Sequence, residues 1–362
     1  MLTNVNKPPL ELEQQSSIVC DWLSLYTIGT IHDTHEYKFN LLPYSTRQFK
    51  KVYSIDYHNT TFATATAEPH SKIINARAII IKFENKFLYT RSASYLIEKF
   101  LRACKLSFKS ITRADIARDF HTFFNGLKPQ TFISDFFAGT YLKNGRGKFS
   151  VIGEQMQKNV YDYLSFGSRS TGKRIYLYNK SKELRQVKDK PWIKWFWQRN
   201  GLAVDKDIWR LEFSFKGSQN KIVDEFSGQL DKIHWRDLFK PAKLIWIMSA
   251  AIKSIFSFKI KSGTKNKTRM KDLQLFNSIY SGVKLIKLPD EESPTKTIRI
   301  LLRKLVTEYR DIIYKDTFSA AAIQGTIDAI SKKYNMKEFL IRVLDYTPEP
   351  MFFSYSEDNF LF

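Results

Sequence analysis

Two phenols, Tyr176 and Tyr178, lie close together in the stretch Arg174-Ile175-Tyr176-Leu177-Tyr178-Asn179-Lys180. Read as a β-strand, the stretch sends Ile175 and Leu177 to one face and Arg174, Tyr176, Tyr178 and Lys180 to the other. A phenol beside fixed cations can attack a phosphodiester, because the cations favour phenolate and attract phosphate. The same alternation also describes a half-buried strand whose tyrosines only pack. Two more stretches carry carboxylates in this pattern. Residues 109–120 place Arg113, Asp115 and Asp119 on one face. Residues 208–217 set Arg210, Glu212, Ser214 and Lys216 opposite Trp209, Leu211, Phe213 and Phe215. Asp115, Asp119 and Glu212 supply only oxygen donors, which suit a hard ion such as Mg²⁺ or Mn²⁺. Such an ion polarises a phosphate and orients it towards a nucleophile. In the alternative, these charges sit on an exposed face and merely pair with one another.

Three strands that each have an apolar and a titratable face predict an α+β fold. A central antiparallel sheet would carry helices on its apolar face and leave an open polar catalytic face. Strands are expected near 18–25 and 76–83, and helices over 95–104, 129–141, 180–187 and 191–197. Beyond about residue 235 the apolar spacing becomes helical, over 235–258, 272–281, 295–316, 326–334 and 336–346. The expected organisation is a loose lead-in over 1–17, a catalytic domain over 18–235, a helical C-terminal region over 236–346 and an acidic, aromatic tail over 347–362.

The chain has 362 residues, and its 43% hydrophobic and 26% charged content describes a folded protein. A net charge of +22 makes nucleic acid the leading partner. Candidate DNA contacts are Arg113, Arg169, Lys173 and Arg210 on or beside the three strands. Lys261, Lys265, Lys267 and Arg269 join them from a basic stretch that reads as a solvated loop. Trp192, Trp195 and Trp197 either pack in the core or stack unpaired bases. No apolar run is long enough to span a membrane, and the first residues lack a signal-peptide core. Cys20 and Cys104 form neither a disulfide framework nor a zinc spacing. A reducing cytoplasm is the expected location.

Four places in the chain, in order, resemble the rolling-circle replication initiators, a superfamily of small plasmid initiators and the gene II replication proteins of filamentous phages. They are Val19-Cys20-Asp21-Trp22-Leu23-Ser24, Ile111-Thr112-Arg113-Ala114-Asp115-Ile116-Ala117-Arg118-Asp119, Phe166-Gly167-Ser168-Arg169-Ser170 running on to Lys180, and Trp209-Arg210-Leu211-Glu212. The resemblance covers roughly residues 18–220. It implies that Tyr178 is the nucleophile, with Tyr176 as the alternative, assisted by Arg174 and Lys180. It also implies Asp115, Asp119 and Glu212 as ligands of Mg²⁺ or Mn²⁺. Asn179 stands where the family often has Asp, and the two-histidine metal motif of other initiators is absent.

The implied activity is origin binding and metal-dependent nicking and rejoining of one strand through a 5′-phosphotyrosine. Origin DNA, a host helicase and polymerase, and a second copy of the chain are the implied partners; a membrane is not. The competing readings are a relaxase-like nickase for element transfer and a non-catalytic basic nucleic-acid-binding protein.

Overall fold

The computed structural model describes residues 16–144, 149–153, 161–168, 172–187, 189–216, 221–224, 230–264, 266–277, 283–286, 296–334 and 336–346. The chain divides into two units, residues 1–68 with 77–288 and residues 69–76 with 289–362.

The first part of the chain forms β1 (Ser16–Ile28), β2 (Tyr37–Leu41), β3 (Phe49–Tyr57), β4 (Thr60–Pro69) and β5 (Ala78–Phe83). Helices α1 (Asn85–Leu88) and α2 (Ala93–Ala103) lead to β6 (Ser107–Phe120), α3 (Pro129–Phe137) and the short β7 (Tyr141–Lys143). Then come β8 (Phe149–Gly153), β9 (Tyr161–Ser168), β10 (Lys173–Asn179), α4 (Lys180–Gln186), α5 (Pro191–Arg199) and β11 (Trp209–Phe215). The unit closes with β12 (Lys221–Asp224), β13 (Leu230–Lys232), α6 (Pro241–Ile255), β14 (Phe258–Ile260) and β15 (Val283–Ile286).

Ten strands make one sheet in the order β2-β3-β4-β5-β1-β6-β11-β10-β9-β8. The pairs at its centre, β1 with β6, β6 with β11 and β11 with β10, are antiparallel. The three alternating stretches therefore lie side by side, and their apolar positions share one face. Leu23, Leu25, Ile111, Ile116, Ile175, Leu177, Leu211 and Phe213 are buried there against α2, α3 and α6. This is the anticipated α+β architecture.

The polar face is roofed at one end. α5 carries an apolar stripe, Ile193 and Trp197, that needs something to pack against. It finds Val19 and Ala117, the apolar positions on that side of β1 and β6, together with Tyr89, Leu184, Leu202 and Ile208. The three tryptophans separate accordingly. Trp197 is buried, Trp192 is partly buried, and Trp195 is 67% exposed.

The stretch after residue 235 divides between the units. α6 packs into the core under the sheet. Residues 272–277, within the expected helix over 272–281, are not helical. The basic stretch expected as a solvated loop is a pinned turn. β14 pairs with β7, the Ile260 N–H donates to the Lys271 carbonyl, and Asn266 caps a short 3₁₀ turn at Lys267–Arg269. Lys261, Lys267 and Arg269 are exposed on it.

The second unit holds α7 (Lys296–Ile312), α8 (Thr317–Lys333) and α9 (Lys337–Val343). Their apolar stripes meet in a core of Leu302, Val306, Tyr309, Ala320, Ile327, Met336, Phe339, Leu340 and Tyr346. Asp316 starts α8 by accepting the Ser319 N–H at 3.0 Å. No helix among the described residues is long and apolar enough to cross a membrane. The tail, most of the lead-in, Arg169 and Lys265 lie outside the described residues.

Candidate active site

The register of the central strands sets the site. On β10 and β11, Tyr176 is directly opposite Glu212 and Tyr178 is opposite Arg210. On β11 and β6, Arg210 is opposite Asp119 and Ser214 is opposite Asp115. The Glu212 carboxylate turns past its direct neighbour, and the Tyr178 hydroxyl donates to its Oε2 at 2.8 Å. Arg174 serves the other phenol. Its guanidinium lies 4.8 Å from the Tyr176 ring centroid, and its Nη2 donates to Ser165 Oγ at 2.9 Å. A third phenol, Tyr163 on β9, sits beside both, with ring centroids 5.9 Å from Tyr176 and 6.5 Å from Tyr178.

Behind Tyr178 lies a buried ionic network centred on Arg210, which is fully buried. Its Nε and Nη2 donate to the two oxygens of Asp119 at 2.7 and 2.8 Å. Its Nη1 donates to Asp21 Oδ1 at 2.7 Å, and Nη2 also reaches the Tyr89 hydroxyl at 3.0 Å. Tyr89 in turn donates to Asp21, and Trp197 Nε1 donates to Asp119 Oδ2 at 2.6 Å. Asp21 enters through a β-bulge. The register of β1 on β6 shifts between Cys20 and Trp22, so Asp21 is the extra residue. A bulge of this kind re-aims a side chain that simple alternation would place differently.

The charges act on one another strongly because water is excluded. Burial, then the negative charges of Asp115 and Asp21, push the Glu212 carboxyl up to about 7. Burial, with the Glu212 charge next, pushes the Tyr178 phenol well above its ordinary value. Burial would also raise Asp21, but Arg210 and Lys180 hold its carboxyl well below the usual carboxylate range. Burial, with Arg210 next, draws the Lys180 ammonium down. Lys180 is buried at the start of α4, ion-paired with Glu183, and its Nζ lies 5.5 Å from the Tyr178 ring centroid.

Four sequence expectations change. Arg210 is no DNA contact: it is sealed between Asp119 and Asp21. Asp119, expected as a metal ligand, is instead the buried counter-ion of Arg210, and its two oxygens accept from Arg210 and Trp197. The phenolate expected beside Arg174 and Lys180 is not favoured in this state. Arg174 faces Tyr176, Lys180 is committed to Glu183, and the Tyr178 proton rests against a carboxylate. Asp21 belongs to the site although alternation alone did not select it; its place in the first motif was the available signal.

Among the described residues, no three or more metal-ligating side chains converge to hold an ion. Asp115 and Glu212 nevertheless suit one. They are diagonal neighbours on one sheet face, and Asp115 is among the charges that raise Glu212. Mg²⁺ is commonly held by one or two carboxylates together with substrate phosphates. Asp115 itself is raised by burial, although Arg113 donates to both of its oxygens at 3.0 and 2.5 Å.

Beside this pair opens a cleft of about 310 Å³, whose lining includes Arg113, Lys173, Arg174, Tyr176, Ser214 and Lys216. The β9–β10 hairpin that shapes it depends on Gly167, the glycine of the third motif. Gly167 has φ of +94°, and a Cβ there would lie 2.6 Å from the Lys173 carbonyl oxygen. Gly167→Ala is expected to cost about 1–3 kcal/mol through this strain and clash. Thermal unfolding measures it, and an unchanged midpoint would show that the hairpin does not need the glycine.

No family model matches the sequence, and no curated protein matches it. Among solved structures, the chain is similar to a rolling circle replication initiator protein from Geobacillus stearothermophilus. The TM-score is 0.42 at 14% identity, covering 72% of this chain and 94% of that chain. A likeness at that level leaves the chemistry to be read from the residues themselves.

Proposed function

We propose that the chain is a DNA nicking-closing enzyme of the rolling-circle initiator kind, with Tyr178 as nucleophile and Glu212 as its proton acceptor. The observation that carries this reading is the hydrogen bond from the Tyr178 hydroxyl to Glu212. A phenol on a basic sheet face, held against a carboxylate that titrates near neutrality, is equipped for transesterification.

In the forward step the Tyr178 oxygen bonds to phosphorus, and its proton passes to Glu212. The bond from phosphorus to the 3′-oxygen breaks, and that oxygen takes up a proton from solvent to leave a free 3′-hydroxyl. The strand stays attached through a 5′-phosphotyrosine. In the closing step the same bonds are exchanged in reverse, with Glu212 returning the proton. In the metal-free chain its pKa of about 7 keeps both protonation states of this carboxyl accessible at neutral pH, and a bound divalent ion would favour the accepting, ionised form. Arg113 and Arg174, at the mouth of the cleft, offset charge on the phosphate oxygens. Asp115 and Glu212 would hold a Mg²⁺ or Mn²⁺ ion. When bound, that ion would withdraw charge from the phosphate. Origin DNA is the substrate in this reading, and the free 3′-hydroxyl serves a host polymerase working behind a host helicase.

The test uses single-stranded oligonucleotides labelled at the 3′ end, incubated with the chain and Mg²⁺ or Mn²⁺. A denaturation-resistant labelled adduct is expected. It should persist in Tyr176→Phe and vanish in Tyr178→Phe. The opposite pattern would move the nucleophile to Tyr176, and no adduct with any metal or oligonucleotide would leave a binding protein.

A further inference from the structure

Tyr176 has a position that the nicking chemistry does not use. We propose that the basic cleft is a pocket for one nucleotide of an unpaired strand, in which Tyr176 and Arg174 form a stacking platform for the base. This inference rests on the proposed function for its substrate class and deepens it. It removes Tyr176 from the nucleophilic machinery.

Three observations support it. First, Glu212 is the direct cross-strand neighbour of Tyr176 yet bonds Tyr178. Among the described residues, the Tyr176 hydroxyl has no carboxylate hydrogen-bonded to it, so it lacks the proton acceptor a nucleophile requires. Second, the Tyr176 ring lines the cleft, with the Arg174 guanidinium held over it at 4.8 Å by the bond to Ser165. Aromatic rings and guanidinium planes are the surfaces on which splayed-out bases stack. Third, Lys173, Arg174 and Lys216 line the cleft together with Arg113, which is paired to Asp115, so cationic side chains come to the lining from β6, from β10 and from the end of β11. A concave basic site of about 310 Å³ suits a base with its phosphate. Bases within a duplex remain stacked on their neighbours and cannot enter it, so the occupant is an unpaired nucleotide.

The experiment measures binding of a short fluorescent single-stranded oligonucleotide by anisotropy. Every protein carries Tyr178→Phe, which prevents covalent capture. Loss of one base–aromatic stack is worth about 1–3 kcal/mol, so Tyr176→Ala is expected to weaken binding roughly 5- to 150-fold. Tyr176→Phe keeps the ring and should rescue binding to within about threefold of the parent. A duplex of the same sequence should be bound equally by all three. As a second probe that leaves the ring in place, Lys173→Ala with Lys216→Ala should reduce the salt slope for the single strand by roughly 1.4.

The proposal is overturned if Tyr176→Ala binds the single strand like the parent. It is also overturned if Tyr176→Phe loses as much as Tyr176→Ala, or if the duplex is weakened equally. A Tyr178 adduct in the wild-type chain without the Ala–Phe difference would sink the pocket and leave the nicking reading intact. The Ala–Phe difference without any adduct would do the reverse.

Discussion

Glu212→Gln should slow adduct formation by about 10²- to 10⁴-fold, the usual worth of a positioned general base. Gln keeps an oxygen to accept the Tyr178 hydroxyl, so geometry is retained while proton acceptance is lost. The pH profile carries the same signature. Glu212 must be ionised to take the proton, and its carboxyl titrates at about 7. Cleavage under kcat/KM conditions should therefore rise with pH along a limb at or below about 7, since a bound divalent cation would lower the Glu212 pKa, and the variant should lose that limb. Stability should move the other way. A carboxyl raised on folding binds its proton more tightly in the native state than in the unfolded one. Its ionisation therefore withdraws stability as pH rises from the ordinary carboxylate range to about 7. Above pH 7 the uncharged Gln avoids the repulsion from Asp115 and Asp21, and the variant should melt higher than the parent. Near pH 4 the difference should disappear. A variant that is both inactive and less stable at pH 8 would contradict this electrostatic account.

Arg210→Met should be the most damaging single change in the sheet. It removes a fully buried guanidinium that serves Asp119 with two bonds and Asp21 with one. Breaking a buried pair from one side typically costs about 3–5 kcal/mol; here Asp119 loses its guanidinium partner and Asp21 keeps only the charge of Lys180. For a unit of this size the thermal midpoint should fall on the order of 10 °C. Neutralising both partners, with Asp21→Asn and Asp119→Asn added to Arg210→Met, should recover part of the loss. An unchanged midpoint for Arg210→Met would mean that the network contributes nothing to the fold. Arg210→Lys is no remedy, since one ammonium cannot reproduce the fork that spans both carboxylates.

The central sheet was legible because period-2 alternation is a strong local signal. Arg113, Asp115, Tyr176, Tyr178 and Glu212 all occupy the side that alternation assigns. Alternation names the face of a strand, but not what covers that face. It therefore places Arg210 and Lys180 on an exposed face, although both are buried. The covering was hinted at in Pro191-Trp192-Ile193-Lys194-Trp195-Phe196-Trp197, whose apolar stripe needed a partner. Asp21 was hidden by its bulge, since one inserted residue re-aims a side chain without changing composition. Tyr176 and Tyr178 were equivalent by pattern. What separates them is the rotamer of Glu212, which only tertiary packing decides. The apolar pattern of α6 was equally readable, but whether it joined the sheet or the later helices depends on long-range packing.

The most direct test of the account is to locate the covalent bond. The labelled adduct would be digested with trypsin and a nuclease, and the peptide Ile175-Tyr176-Leu177-Tyr178-Asn179-Lys180 sequenced by fragmentation mass spectrometry. The account predicts a nucleotide-derived phosphate on Tyr178 and an unmodified Tyr176. Modification of Tyr176, or of a residue outside this peptide, would contradict it.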